Sequence, residues 1–333
     1  MAKNWQDYSA MTAALASGDD ILLRDKSDTT DNATEGTVLR MPYAGLLGLS
    51  GITPGGRLTL ESGVPVSTTD QTAKGTLYYT PYLHDFVRIY DGTRPTLYTF
   101  TERSLALTLT SGKNYDVFLY NNSGTLTLEL SAAWTNDTTR ADALAWQAGV
   151  GWVKSGTATR LWLGTIRASA SNQTELVFGG VDTAARCLLW NAYNRVSASL
   201  KWRDSVDSYT YTTGAWRQKN GSANNQANVV CGAAGCVAHV NSLSLSFHLS
   251  ASRENAIGLD STSASATGCI MGRNAVFGAA GGQMCSWSGP IGLGHHYVAE
   301  IEACFAATGT ATWYGDIGTA TSFQSGAVMR WEY

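Results

Sequence analysis

Alternation of apolar and polar side chains at every second position most strongly constrains the fold. Leucine alternates with small polar residues in segments 105–110, 126–131 and 242–249, and apolar residues alternate with glutamates in segment 297–305. Successive side chains of a β-strand point to opposite faces, so each segment is predicted to be a strand with one buried face. In segment 242–249 the leucines and Phe247 are expected inside, and the serines outside.

Further strands and turns extend this pattern into two blocks. Segment 115–120 carries bulky residues on both faces, as a central strand does, and the Asn-Asn-Ser-Gly run at 121–124 has hairpin turn chemistry. A β-sandwich is predicted over about 56–170, interrupted by a brief helix at 139–147. Short strands between Gly, Ser and Asn turns predict a second antiparallel, jelly-roll-like sandwich over 171–333.

The first 50 residues form a separate small module. Met11, Ala14 and Leu15 have helical spacing, Ile21–Asp25 and Val38–Met41 are predicted strands, and Pro42 begins a helical turn that reaches Leu47. The predicted fold class is therefore all-β, with a small α/β N-terminal module before two antiparallel sandwiches. A module of this size is near the lower limit for an independent core and is expected to dock on another protein.

Composition excludes several function classes. A net charge of -3 and a pI near 5.9 give no broad positive field, so no nucleic-acid partner is expected. No run of about 18 apolar residues exists, so no membrane insertion is expected. The first eight residues lack the pattern of a secretory signal, which predicts a soluble protein made in the cytosol.

The six cysteines are dispersed over a chain too large to need disulfides, so free thiols are the default interpretation. Cys231 and Cys236 flank Gly-Ala-Ala-Gly, and a disulfide across that turn is the alternative. His295 and His296 are adjacent and would point to opposite faces of a strand, which disfavours a metal site. No cofactor motif is present, and no cofactor is expected.

Glu300 and Glu302 are the strongest candidates for catalysis. Residues two apart on a strand share a face at about 7 Å, a spacing that suits an inverting glycosidase. Two solvated carboxylates on an exposed strand are the favoured interpretation. The chain is therefore predicted not to be an enzyme.

Aromatic residues give the better functional signal. Five side chains in polar, Gly-rich surroundings are predicted to bind a ligand by stacking and hydrogen bonding: Tyr209, Tyr211, Trp216, Arg217 and Trp287. The alternative is that these side chains form a contact between subunits.

Several long motifs resemble segments of virion proteins from tailed bacteriophages and prophages. Segment 6–47 resembles the N-terminal segment of such proteins, and WNAYNRV at 190–196 resembles the crossing into their distal domain. The middle block resembles a module that recurs in tail and head fibres, through GTLYYTPY from Gly75, VRIYDG from Val87, LTSGKNYDVFLYNNSGTLTLEL from Leu109, WTNDTTRADAL from Trp134 and LWLGTIRAS from Leu161. The resemblance as a whole extends over more than half of the chain.

This resemblance implies an elongated homotrimeric fibre or spike that is assembled in the bacterial cytoplasm and resides in the virion. Residues 1–50 would attach it to tail or capsid proteins, with Tyr8, Met11, Leu15, Leu46 and Leu47 as the anchoring side chains. Residues 56–170 would form a spacer, and residues 171–333 would bind a host-surface glycan or protein. Head decoration without a specific receptor and polysaccharide cleavage are the alternatives.

Overall fold

The computed structural model describes residues 20–25, 37–42, 53–305, 310–318 and 323–333. Within them the fold is all-β and almost wholly antiparallel, as the alternation predicts. The one helical element in these residues is a 3₁₀ turn at Lys219–Gly221. The predicted helix at 11–15, residues 43–47 of the predicted helical turn and all five predicted anchoring side chains lie outside the described residues. Pro42, which is predicted to begin that turn, is instead the last residue of a strand.

Two predicted strands near the N-terminus are confirmed. They are β1 (Asp20–Asp25) and β2 (Thr37–Pro42), which pair antiparallel from Asp20 opposite Pro42 to Asp25 opposite Thr37.

The first large block contains eleven strands in the described residues. They are β3 (Gly56–Thr59), β4 (Gln71–Lys74), β5 (Thr76–Pro81), β6 (Phe86–Tyr90), β7 (Pro95–Thr99), β8 (Arg103–Ala106), β9 (Asn114–Asn122), β10 (Thr125–Leu130), β11 (Leu144–Gln147), β12 (Gly151–Lys154) and β13 (Thr157–Arg167). The predicted hairpin joins β9 to β10, where Ser123 and Gly124 both have the positive φ angles that a tight hairpin turn requires.

The second block contains fourteen strands in the described residues. They are β14 (Thr174–Val177), β15 (Ala185–Cys187), β16 (Leu189–Asn191), β17 (Ser197–Arg203), β18 (Tyr209–Thr210), β19 (Arg217–Gln218), β20 (Gln226–Cys231), β21 (Val237–Phe247), β22 (Ser252–Leu259), β23 (Gly272–Asn274), β24 (Ala280–Pro290), β25 (Gly294–Phe305), β26 (Thr312–Tyr314) and β27 (Gly326–Glu332). The pair β15–β20 is parallel, whereas the other strand pairs described are antiparallel.

The two blocks exchange strands. The first block's main sheet has the order β10-β9-β13-β12-β11, and β16 of the second block pairs with β13. In return, β4 of the first block pairs with β14 at one end of the sheet β23-β22-β25-β20-β15-β14-β4. One continuous apolar cluster runs through both blocks. Hydrogen bonding therefore crosses residue 170 in both directions.

A second sheet of the C-terminal block has the order β17-β27-β21-β26-β18, with β24 paired to β21. This sheet packs against strands β22 and β25 of the sheet β23-β22-β25-β20-β15-β14-β4. The Ser242 hydroxyl of β21, for example, donates to the Glu300 carboxylate of β25 at 2.5 Å. The C-terminal block is thus a sandwich of two sheets whose interface contains polar side chains.

Which face of β21 is buried is the opposite of the prediction. Its serines point inward and are buried, whereas Leu243 points outward and Leu249, just beyond the strand, is largely exposed. The half-buried prediction for segment 297–305 is also wrong, because β25 is central and both of its faces are covered. The reason is that the facing sheet offers carboxylate, amide and guanidinium groups, which serine hydroxyls can hydrogen-bond and leucines cannot.

The predicted helix at 139–147 is absent. Residues 144–147 form strand β11, which pairs with β12 from Leu144 opposite Lys154 to Gln147 opposite Gly151. The preceding turn is held by Arg140, whose side chain reaches inward to Asp116. A tertiary contact here outweighs the local helical preference.

The carboxylate of Asp116 organises the first block. It is fully buried, and its Oδ1 accepts hydrogen bonds from Trp162 Nε1 at 3.0 Å and Thr165 Oγ1 at 2.8 Å. Its Oδ2 accepts from Trp134 Nε1 and from Arg140 Nε, each at 2.9 Å. The Arg140 guanidinium lies 4.9 Å from the centroids of both indole rings. Three motifs that are distant in sequence therefore meet at one carboxylate.

Asp116→Asn is expected to destabilise the protein by about 3–5 kcal/mol, because it removes the negative charge opposite a largely buried arginine and turns an amide toward hydrogen-bond donors. Chemical denaturation of both proteins measures the difference. Asp142→Asn is the matched control, because Asp142 pairs with Lys154 where both side chains are partly exposed, and its loss should cost below about 1 kcal/mol. Equal losses in the two variants would contradict the role given to Asp116.

Candidate binding surface

Three of the five predicted binding residues, Tyr209, Tyr211 and Arg217, come together on one face of β25. Arg217 on β19 stacks over the Tyr211 ring, with its guanidinium carbon 3.9 Å from the ring centroid. The Tyr209 ring lies 5.8 Å from the same guanidinium. These three side chains are partly exposed, and together they form an aromatic cluster around one arginine. Trp216 lies on the opposite face of β25, where it packs against Ala299 and Ile301 and edge-to-face on Phe305 at a centroid distance of 5.8 Å.

The buried carboxylate of Glu302 holds the side chains of Tyr209 and Arg217 in place. Its carboxylate accepts hydrogen bonds from Arg217 Nε at 2.8 Å, the Tyr209 hydroxyl at 2.6 Å and the Asn220 backbone N–H at 3.2 Å. Burial raises the pKa of Glu302, while the bonds from Tyr209 and Arg217 oppose that rise. Burial and the nearby carboxylate raise the pKa of Tyr209 well above its ordinary value. The arginine is thus held in place with its ring-stacking face toward Tyr211.

Trp287, the fifth predicted residue, lies elsewhere. It is on β24, only 4% exposed, and its Nε1 donates to the Thr267 carbonyl at 3.1 Å. Its ring fills the core and is not available for stacking on a ligand.

The interpretation of Glu300 and Glu302 as solvated carboxylates is wrong, since both are fully buried. Glu300 pairs with the buried Lys219 at 2.7 Å and also accepts the Ser242 hydroxyl. Both carboxylates are buried and each is paired with a cation. They therefore do not form an accessible acid–base pair. The geometry thus gives the glycosidase alternative no substrate-facing carboxylates at these positions.

An apolar patch that the alternation pattern did not predict lies on the outer face of the sheet β17-β27-β21-β24. Leu243 on β21 stands directly opposite Met284 on β24, and Val328 projects from the neighbouring β27. These three side chains are 38%, 72% and 43% exposed. They border a depression of about 430 Å³ with Lys201 and Arg203 on its far side. We refer to Leu243, Met284 and Val328 as the outer apolar patch.

The default interpretation that all six cysteines are free thiols is correct for four of them and wrong for two. Cys231 and Cys236 form a disulfide across the Gly-Ala-Ala-Gly turn. Free thiols are confirmed for the other four, Cys187, Cys269, Cys285 and Cys304.

The adjacent histidines point to different partners. His295 Nδ1 lies 3.5 Å from Asp137, and His296 Nδ1 lies 2.6 Å from Asp260. Among the described residues, no group of three or more His, Cys, Asp or Glu side chains is arranged to hold a metal ion. Nor does that part of the chain contain a helix with the length and apolarity needed to cross a membrane.

Comparisons with known proteins identify no relative. No protein family matches the chain, and no curated protein matches it. Two solved structures that align with it are toxins of Bacillus thuringiensis, the insecticidal δ-endotoxin Cry8Ea1 and the mosquito-larvicidal Cry4Aa toxin. For Cry8Ea1 the TM-score is 0.20 at 8% identity, over 82% of this chain and 51% of that one. For the mosquito-larvicidal Cry4Aa the TM-score is 0.21 at 8% identity, over 80% and 50%. The chain spans about half the length of each toxin, and scores this low carry no argument about fold or function.

His295 and His296 should influence stability with opposite dependence on pH. Burial and the charge of Arg167 lower the pKa of His295 to about 4. Burial also disfavours charge on His296, but the hydrogen bond and charge of Asp260 outweigh it and raise the pKa of His296 above its ordinary value. The His296 contribution is therefore fully present below about pH 6.5 and is lost as the pH rises through the folded pKa. The His295 contribution is lost as the pH falls from about 6.5 toward 4.

His296→Gln should therefore lower the melting temperature more at about pH 5.5 than at about pH 9, whereas His295→Gln should reduce the loss of stability between about pH 7 and pH 4. Thermal unfolding over this pH range tests both variants. In an Asp260→Asn background the pH dependence of the His296→Gln effect should largely disappear. A His296→Gln effect of the same size at every pH would contradict the ion pair with Asp260.

Proposed function

We propose that this chain is a subunit of a fibre or spike on a tailed-phage virion, which assembles as a homotrimer and binds the host cell surface through residues 171–333. The observation that carries the proposal is the outer apolar patch. The motifs that resemble phage fibre segments support it, since several of them converge on the Asp116 centre and so belong to one structural unit.

The reversed faces of β21 explain why the patch favours assembly. An antiparallel sheet with one solvated face normally carries its polar residues outside. Here Ser242 and Ser246 hydrogen-bond inside the sandwich and Leu243 is left outside, where it forms a direct cross-strand pair with Met284. Exposed apolar side chains that adjoin one another are typical of protein–protein contacts. A second copy of the chain is the occupant we propose.

The aromatic cluster around Arg217 fits the host-binding role. Tyr rings and a stacked guanidinium present flat apolar surfaces next to hydrogen-bonding groups, which suit the faces and hydroxyls of a sugar. Glu302 holds the arginine in one orientation, so little side-chain entropy remains to be lost on binding. Three linked copies would turn weak single contacts into stable adsorption.

The double variant Leu243→Ser, Met284→Ser should weaken the trimer, because it replaces apolar contact area with hydroxyl groups that prefer water. Mass photometry of the full chain should show trimers for the wild type and a shift to smaller species for the variant, with unchanged circular dichroism. Val237→Ser is the control, since Val237 is a similarly exposed residue of β21 outside the patch. A monomeric wild type would contradict the trimer, and a trimeric double variant would contradict the patch as its interface.

Deletion of residues 1–50 should leave the remainder folded but remove it from the particles, since those residues are the proposed attachment module. Immunogold labelling of intact virions, with folding checked on the purified truncated chain, measures this outcome. Labelling of the wild type at the head or at the tail also identifies the attachment site. Particles that retain the truncated protein would argue against attachment through the N-terminus.

A further inference from the structure

A polar cavity of about 380 Å³ lies at one end of the sheet β17-β27-β21-β24, away from the aromatic cluster. Its lining includes Arg195, Ser197, His239, Arg330 and Glu332. This volume falls within the range of small-ligand sites. The function proposed above does not use this cavity.

Strand register places the polar side chains of the cavity on one face. Arg330 of β27 stands between Ser199 of β17 and His239 of β21, and His239 stands opposite Ser288 of β24. Side chains in such a cross-strand row project to the same side of the sheet. His239 Nδ1 lies 2.9 Å from the Ser288 hydroxyl, which orients the imidazole. Of this row, Arg330 and His239 line the cavity, and Ser199 and Ser288 flank them.

The two guanidinium groups of the cavity lack carboxylate partners within the described residues. The Arg330 guanidinium makes no hydrogen bond or ion pair there, and the Arg195 guanidinium contacts the Trp190 ring at 5.3 Å from its centroid. Glu332, the one carboxylate in the lining, forms no ion pair with either arginine. By contrast, Arg140 and Arg167 each hold a carboxylate within 3 Å. Two arginines against one glutamate leave an excess of positive charge in the lining, in a chain whose net charge is -3.

The walls of the cavity are rigid. Gly235, Cys236 and Val237 form part of its rim, and the disulfide from Cys236 to Cys231 restrains that hairpin. Trp331 lines the cavity while almost wholly buried, so its ring is fixed by the core. A preformed site loses less entropy when a ligand binds.

We infer that this cavity binds the carboxylate of an acidic sugar in a host-surface glycan. A planar guanidinium can grip a carboxylate through two parallel hydrogen bonds, and two unpaired arginines on one cavity make an anionic ligand the fitting one. The Ser197 hydroxyl supplies a group suited to the sugar's hydroxyls. As an account of host attachment, this inference rests on the function proposed above; as a carboxylate site, it stands on the cavity alone.

Titration of the purified full chain with three oligosaccharides by calorimetry tests the inference. A hexuronic-acid trisaccharide should bind, a neutral glucose trisaccharide should not, and a glycerol-phosphate oligomer should bind more weakly because its tetrahedral phosphates match the site less well. Arg330→Ala should weaken uronate binding at least about tenfold, the equivalent of one lost charge-assisted contact. Arg330→Lys should recover only part of that loss, because an ammonium cannot form the two-bond grip.

Arg94→Ala is the control, since that side chain is 80% exposed, lies in the first block and should leave binding unchanged. Absence of uronate binding, uronate binding that survives Arg330→Ala, or a phosphate oligomer that binds more tightly would each overturn the inference.

Adsorption of virions to host cells separates the two proposals. If Arg330→Ala virions adsorb normally, the cavity has no role in attachment and the fibre function stands. If the chain is absent from virions while uronate binds as expected, the fibre function falls and the carboxylate site stands.

Discussion

The buried carboxylate of Asp116 is the interaction on which the first block depends. An isolated charge in a protein interior is costly unless several donors replace its water, and here two indoles, a hydroxyl and a guanidinium do so. Those donors come from separate strands and one long turn, so the carboxylate can be satisfied only when all of them are in position. Arg140 also donates to the Gly232 carbonyl, which connects this centre to the C-terminal block. The centre thereby specifies the arrangement of strands, a role better attested for buried polar groups than net stabilisation.

Strand positions could be predicted from the sequence far better than strand environments. Alternation identified β10, β21 and β25, and the Ser123–Gly124 turn fixed the pairing of β9 with β10. Alternation alone does not reveal which face meets the partner sheet, because that depends on side chains distant in the chain. Glu300 and Lys219 make the interior of the C-terminal sandwich polar, so the serines of β21 turn toward them. The helix predicted at 139–147 failed for a related reason, since Arg140 is recruited by Asp116.

The candidate site shows the same division. Tyr209, Tyr211 and Arg217 lie close in sequence and can be grouped from local composition alone. Trp216 belongs to the same stretch but packs on the opposite face of β25. Trp287 shares that composition but lies on the inner face of its strand, and no local signal distinguishes the two cases. The sequence does not predict the cavity lined by Arg195 and Arg330. These two arginines line the same cavity only when strand β27 pairs between β17 and β21, which are distant from it in the chain. The Arg-x-Glu alternation at the C-terminus indicates an exposed face, but not its neighbours.

The placement of charge bears on how such a protein would recognise its partners. Glu300 and Glu302 are buried and each is paired with a cation, so they contribute little to the surface field. The unpaired guanidiniums of Arg195 and Arg330 act over short range, since mobile ions screen exposed charges beyond about 8–10 Å. Recognition would then depend on the fit of a ligand group between fixed donors more than on long-range attraction. Recognition of this kind is compatible with the slightly negative net charge of the chain. Repetition of the same site in linked copies would raise the overall binding affinity above that of a single shallow site.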